Sequence, residues 1–206
     1  MAFRVGVLVS GEGTNLQAIL DSLHGRDGIE VVAVASNRPE ARALRRASAA
    51  GIETEIFAAG GDRDARDAAL ADWLERREVD LLVLAGFTEI LGGLFIRRFE
   101  GRIVNVHPSL LPAFAGMRAV EQALAYGVRV MGVTVHFVDE GVDSGPVILQ
   151  EAFEVPYPRA IEAVEREVHE VEHRLLPQAV SLIAAGDVSI DSADSRTVRI
   201  REGRDG

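Results

Sequence analysis

Asp80-Leu81-Leu82-Val83-Leu84-Ala85 is a continuous apolar run of strand length, closed by Gly86. A strand with one wet face alternates apolar and polar residues, whereas an unbroken run points to a strand covered on both faces, as in the middle of a parallel sheet. Upstream, Phe3 to Val9 is a second such run, followed by Ser10-Gly11-Glu12-Gly13-Thr14-Asn15 and then by Leu16, Ile19, Leu20 and Leu23 at helical spacing. That order is strand, glycine turn, helix. Ile29 to Ala35 reads as the next strand, Ala41 to Ala50 as an alanine-rich helix closed by Gly51, and Glu53 to Phe57 as a short strand. Asp62 is placed to N-cap a helix that runs to about Arg77 with Leu70, Trp73 and Leu74 on its apolar face. Strands alternating with helices over short connections predict an α/β fold, a doubly wound, mostly parallel twisted sheet with flanking helices. Ligands of such sheets lie beyond the carboxyl ends of the strands.

Downstream, residues 86 to 91 form a loop that leads into a helical stretch through Phe99, and Ile103-Val104-Asn105-Val106-His107 is a strand stopped by Pro108. After a turn-rich segment a helix is expected from about Arg118 to Tyr126. Val130 to Val138 and Pro146 to Val155, joined by the tight loop Asp139-Glu140-Gly141-Val142-Asp143-Ser144-Gly145, predict an antiparallel C-terminal addition to the sheet. A long helix from about Arg159 to Ala185 follows, then two short strands at Val188 to Ile190 and Val198 to Ile200, and a frayed tail from Arg201 to Gly206. With no linker rich in Pro, Gly and Ser, the expectation is one domain over residues 1–206. Its nucleotide-binding half would extend to about residue 100 and its catalytic and folate-binding half from about 101 to 206. Loops 10 to 15, 86 to 91 and 107 to 117 would share one rim.

Composition narrows the chemistry. The 22 basic side chains against 32 acidic ones give a net charge of −10, which disfavours non-specific binding to nucleic acid or to a membrane surface. All the basic residues are arginine, so Schiff-base chemistry and a Walker-type phosphate loop, both of which need a lysine amine, are excluded. With no cysteine there is no disulfide framework, thiolate nucleophile or cysteine-ligated zinc. No stretch reaches membrane-spanning length and no signal-peptide pattern precedes Phe3, so a cytoplasmic protein is expected.

Two groups of residues can carry function. The glycine turn at 11 to 15 fits either a plain strand-to-helix connection or a phosphate site on the helix N-terminus. It lacks the third glycine and the ribose-binding acid of a dinucleotide fingerprint, which argues against NAD. Asn105 and His107 are two residues apart, so they share one face of their strand. An amide can donate to a developing oxyanion, and an imidazole can donate a proton near neutral pH. If Asp143 folds back to meet His107, its charge would raise the imidazole pKa. The trio suits direct attack of an amine on an acyl carbon; the alternative is satisfied core polar groups and a turn aspartate. Ser109 is the nearest hydroxyl, with no glycine-framed elbow around it. Arg63, in the first turn of a helix, reads by its own position as a solvated surface cation, and His136 as a structural strand residue.

The segments Ser10 to Ile19, Leu84-Ala85-Gly86-Phe87, Asn105-Val106-His107-Pro108-Ser109-Leu110-Leu111-Pro112 and Val135 to Pro146 together resemble the folate-dependent phosphoribosylglycinamide formyltransferases of purine biosynthesis, across nearly the whole chain. The resemblance implies transfer of a formyl group from the co-substrate 10-formyltetrahydrofolate to the amine of glycinamide ribonucleotide, with no metal, by a monomer or homodimer. It implies His107 as proton donor, Asn105 as the group holding the formyl oxygen, and Asp143 as the residue that keeps the imidazole protonated and organises a relaying water. It further implies Gly13, Thr14 and Asn15 for the nucleotide phosphate and Glu172, within His169-Glu170-Val171-Glu172-His173, for the glycyl amine. For the folate it implies Arg63, Thr88, Glu89, Ile90, Leu91, Asn105, Asp139, Glu140, Gly141, Val142 and Asp143. Many relatives carry Met-Arg where this chain has Thr88-Glu89, so an anion replaces a cation beside the folate. Relatives also often carry a histidine-containing run at Met117-Arg118-Ala119-Val120, where no role is assigned here. The alternatives are a 10-formyltetrahydrofolate hydrolase, whose usual N-terminal regulatory domain has no counterpart before Phe3, and a non-catalytic folate or nucleotide sensor. A methionyl-tRNA formyltransferase would need a further C-terminal domain.

Overall fold

The computed structural model describes residues 2 to 155 and 160 to 201, in two compact units that divide between Asn105 and Val106, inside a strand. The first unit is built on β1 (Phe3–Val9), β2 (Ile29–Ser36), β3 (Glu53–Ile56) and β4 (Leu81–Leu84), in the order β3-β2-β1-β4, with β5 (Ile103–His107) beside β4. All of these pairings are parallel: Val7 lies opposite Val34 on one side and Val83 on the other, and Leu84 opposite Asn105. All four residues of β4 are buried, as their unbroken apolar run predicts, whereas β3 at the edge is mostly exposed. Burying each such Val or Leu side chain contributes about 2 kcal/mol.

The helices of this unit are α1 (Thr14–Ser22), α2 (Arg42–Ala49), α3 (Arg63–Glu75) and α4 (Gly93–Arg98). The Asp62 side chain caps α3 by accepting from the N–H groups of Asp64 and Ala65 at 2.9 and 3.2 Å. Leu70, Trp73 and Leu74 are buried, and Arg77 lies 4.0 Å over the Trp73 ring, a cation–π contact one turn along α3. Gly13 precedes α1 in the left-handed conformation, and a Cβ there would sit 2.5 Å from the Ala43 Cβ. Turn geometry and the approach of α2 therefore both require glycine.

In the second unit the order continues from the last residues of β5 through β6 (Val130–Phe137) to β7 (Val147–Glu154), and β6 and β7 pair antiparallel with Thr134 opposite Gln150. Seven of the eight β6 residues are buried, while β7 alternates, so β7 carries one wet face. The fold is thus a mostly parallel sheet with flanking helices and an antiparallel addition, and β8 (Val188–Ile190) and β9 (Val198–Ile200) make a separate small antiparallel pair. The unit also carries α5 (Ala119–Tyr126) and α6 (Ile161–Ala184). The expected start of α6 at Arg159 lies outside the described residues, as do residues 202 to 206 of the expected tail. No helix among the described residues is long and apolar enough to cross a membrane.

The segment after β5 is tied down by one hydroxyl. Thr134 Oγ1 donates to the Ser109 carbonyl at 2.7 Å and accepts from the Leu111 N–H at 3.1 Å. Gln150 adds donors to the Leu111 carbonyl and to Thr134 Oγ1 at 3.0 and 2.8 Å. Leu111-Pro112 is a cis peptide bond. The backbone polar groups of a turn that has no ladder partners are met here by side chains of β6 and β7.

Candidate active site

His107 ends β5 and is buried, and its two ring nitrogens have separate partners. Nδ1 lies 3.2 Å from Asp143 Oδ2 and Nε2 lies 2.9 Å from the carbonyl oxygen of Phe114. Both partners are acceptors, so each ring nitrogen faces an oxygen that can take an N–H. Asp143 sits in the left-handed region at φ 49° and accepts from the Gly116 N–H at 2.8 Å. Its other oxygen lies 3.6 Å from Nε2 of His136, whose Nδ1 is 2.8 Å from the Phe137 carbonyl. Burial by itself raises the Asp143 carboxyl, but the His136 contact, the Gly116 N–H and the charge of His107 together draw it down to about 2. One carboxylate is therefore held ionised between two buried imidazoles.

His136, read from the sequence as structural, is fully buried on β6 and at the same time touches Asp143. Asn105 is half-buried on β5, two residues before His107 and therefore on the same strand face. Ser109 Oγ donates to the Ala113 carbonyl at 2.5 Å, which leaves its hydroxyl committed to the turn.

The loop that carries Asp143 is preorganised. Asp139 Oδ1 accepts from the Gly141 N–H at 3.0 Å and from Ser144 Oγ at 2.5 Å, and a Cβ on Gly145 would meet the Phe137 carbonyl oxygen at 1.8 Å. Glu140 and Val142 are exposed at its tip. Arg196, from the turn between β8 and β9, donates to the Ser144 carbonyl. On α6, Glu172 is buried; next to it His173 stacks on His169 with centroids 6.0 Å apart, and burial followed by the His169 charge lowers the His173 pKa.

In the first unit the glycine turn delivers the N-terminus of α1 with no side-chain cap and no acid in its first turn, an arrangement favourable to an anion near Gly13, Thr14 and Asn15. The predicted proximity of loops 10 to 15 and 86 to 91 is observed: the Thr88 N–H donates to Ser10 Oγ at 2.9 Å, and Thr88 Oγ1 is 3.2 Å from the same oxygen. Ser10 in turn donates to Asn37 Oδ1 at 2.6 Å, and Asn37 Nδ2 reaches Glu89 Oε1 at 3.4 Å. The second Glu89 oxygen lies 3.2 Å from NH1 of Arg66. Arg66 also forks onto Asp67 Oδ1 through Nε and NH2, at 2.9 and 2.8 Å, while Asp67 Oδ2 accepts from the Gly92 N–H at 2.7 Å. Burial opposes the Arg66 cation, yet the hydrogen bonds and charges of Asp67 and Glu89 outweigh it and raise its pKa.

Arg63 projects with its Nε 3.8 Å from where a Gly92 Cβ would stand, which places it alongside the loop, more than half exposed. Ile90 is exposed at the loop tip and Leu91 is buried. Sequence reasoning missed Ser10, Asn37, Arg66 and Asp67, because charged residues on a helix and polar residues at two strand ends carry no local mark of meeting one another. The Phe114 carbonyl on His107 was equally invisible, being a backbone group.

Residues 3–180 match the family model described as formyl transferase. The trifunctional purine biosynthetic protein adenosine-3 of Gallus gallus is 44% identical over 193 residues, 92% of this chain, and the chain spans 19% of the length of that relative. The phosphoribosylglycinamide formyltransferase of Bacillus subtilis (strain 168) is 36% identical over 180 residues, covering 86% of this chain and 92% of its own. Among solved structures, glycinamide ribonucleotide transformylase 1 from Symbiobacterium toebii superposes with a TM-score of 0.92 at 46% identity, covering 98% of this chain and 95% of that one.

Proposed function

Since the chain belongs to the formyl transferase family, we propose that it moves the formyl group of 10-formyltetrahydrofolate onto the amine of glycinamide ribonucleotide, in purine biosynthesis. The observation that carries this reading is the buried His107, with Asp143 on one ring nitrogen and a replaceable carbonyl on the other. The relatives named as a phosphoribosylglycinamide formyltransferase and a glycinamide ribonucleotide transformylase, matched over most of their length, support the choice of amine.

In this reaction the amine lone pair forms a bond to the formyl carbon and the carbonyl becomes an oxyanion. The Asn105 amide and the His107 Nε2–H donate to that oxygen, the histidine exchanging the Phe114 carbonyl for the substrate. Collapse breaks the bond to N10 of the folate. N10 takes a proton from His107, and the attacking nitrogen gives up one that returns to the imidazole through a water held by Asp143. Asp143, ionised and fixed by the Gly116 N–H, orients the imidazole. Gly13, Thr14 and Asn15 take the phosphate and Glu172 the glycyl amine. Arg63, the 88 to 91 loop, Asn105 and residues 139 to 143 take the folate.

Formyl transfer from 10-formyltetrahydrofolate, followed with and without glycinamide ribonucleotide, tests the assignment. Turnover that depends on the amine is expected. Release of formate at the same rate without the amine would make the protein a hydrolase, and binding of either ligand with no turnover would make it a sensor.

A further inference from the structure

No strand or helix spans residues 85 to 92, between β4 and α4. The backbone of this loop is instead caught at two points by side chains, the Thr88 N–H on Ser10 Oγ and the Gly92 N–H on Asp67 Oδ2. Between those points the contacts close a ring: Thr88 to Ser10, Ser10 to Asn37, Asn37 to Glu89, Glu89 to Arg66, Arg66 to Asp67, and Asp67 back to Gly92. The Ser10 hydroxyl donates once and accepts twice, which uses its whole hydrogen-bonding capacity. Arg66 and Asp67 have side chains only 9% and 5% exposed. Both oxygens of Glu89 point into the ring.

We propose that Arg66 and Glu89 are positioning residues: their ion pair closes a ring of side chains that holds the backbone of residues 88 to 92 in the shape that receives the folate. The inference rests on the proposed formyl transfer and deepens its folate half. Each Glu89 oxygen faces a donor inside the ring, Asn37 or Arg66, so the carboxylate acts on the folate through the loop backbone. Negative charge at position 89 is then a requirement of the ring. An arginine there would face the Arg66 guanidinium, open the ring and loosen the loop, although it would place a cation beside an anionic substrate.

The test pairs two readouts on Glu89→Arg, Glu89→Gln, Arg66→Lys and the wild type. Amide hydrogen exchange of the free protein reads the loop directly, and steady-state kinetics with both substrates reads the folate. Exchange at Thr88 and Gly92 is expected to quicken about tenfold in Glu89→Arg, less in Glu89→Gln, with the β4 and α4 amides unchanged. The KM for 10-formyltetrahydrofolate should rise about tenfold in Glu89→Arg, with a smaller effect on kcat and on the KM for the ribonucleotide. Arg66→Lys keeps the charge and loses the fork, and should fall between Glu89→Gln and the wild type. A folate KM that changes while exchange does not would mean that Glu89 meets the folate itself, and overturns the inference. Faster exchange with an unchanged folate KM severs the ring from folate binding and overturns it as well, as does no change in either. Exchange needs no turnover, so it decides the ring even if the wild type transfers no formyl group. Glu89→Gln, a near-isosteric change at a partly exposed side chain, keeps the test usable should Glu89→Arg fail to fold.

Discussion

Two polar clusters, one of five side chains and one of three, differ in what they are made of. The one in the first unit joins Ser10, Asn37, Glu89, Arg66 and Asp67; the one in the second joins His107, Asp143 and His136. Guanidinium and carboxylate groups are types that keep their charge near neutrality, and hydroxyl and amide groups do not titrate there, so the first cluster is suited to holding a shape. Imidazole is the type that exchanges protons in that range, and two imidazoles on one carboxylate are suited to moving them. The first cluster also fastens backbone N–H groups at both ends of a loop, whereas in the second one ring nitrogen rests on the Phe114 carbonyl.

The contrast can be broken by substitution. Replacement of His107 by Asn should lower kcat about a thousandfold with the fold intact, read by turnover and circular dichroism. Asp143→Asn should lower turnover by about two orders of magnitude and leave nucleotide binding nearly intact, measured by kinetics and calorimetry. In the first cluster the order of effects reverses. Asp67→Ala removes the main partner of a buried guanidinium and should cost about 3 kcal/mol of stability in denaturant unfolding, with a raised folate KM and a kcat of the folded protein nearly unchanged. If Asp67→Ala instead abolished turnover in fully folded protein, the division of labour between the clusters would fail.

Acid sharpens the same distinction. The Asp143 carboxyl is drawn down to about 2 in the folded protein, below its reference value of 3.8. A depressed carboxyl contributes stability that is present above the unfolded pKa and lost as pH falls through the folded one. Asp143 therefore contributes on the order of 2 kcal/mol at pH 5, fading between pH 4 and about 2. Denaturant unfolding of the wild type and Asp143→Asn should differ by that amount at pH 5 and converge near pH 2. The smallest effect is expected at Arg196, an exposed donor to the Ser144 carbonyl: Arg196→Ala should raise the folate KM about twofold, and Arg196→Lys should restore it.

Much of this molecule is written locally. The unbroken Leu81 to Leu84 run, the helical spacing through Leu70, Trp73 and Leu74, the Asp62 cap and the loop between β6 and β7 each depend on neighbours within a few residues, and each appears where its pattern places it. The proximity of His107 and Asp143 came from a motif-level resemblance together with the loop that returns Asp143 to the strand end, and the contact is 3.2 Å. Departure from the pattern at Thr88-Glu89 could be seen in the sequence, but not the partners these two residues meet. Arg66 lies 23 residues from Glu89, and Ser10 lies 78 from Thr88.

Periodicity, caps and turn residues report how a chain behaves over one or two turns or a strand pair, and so the order of elements, their buried faces and the residue types available for chemistry are legible in the chain itself. Which polar groups meet is settled by packing. A side-chain hydrogen bond between two loops needs their separation to within a few tenths of an ångström, and that is set by the packing of β1, β2, β4 and α3, not by either loop. The same holds for the Phe114 carbonyl on His107. A backbone oxygen has no identity in a sequence, and its position follows from how residues 109 to 116 are pinned to β6 and Asp143.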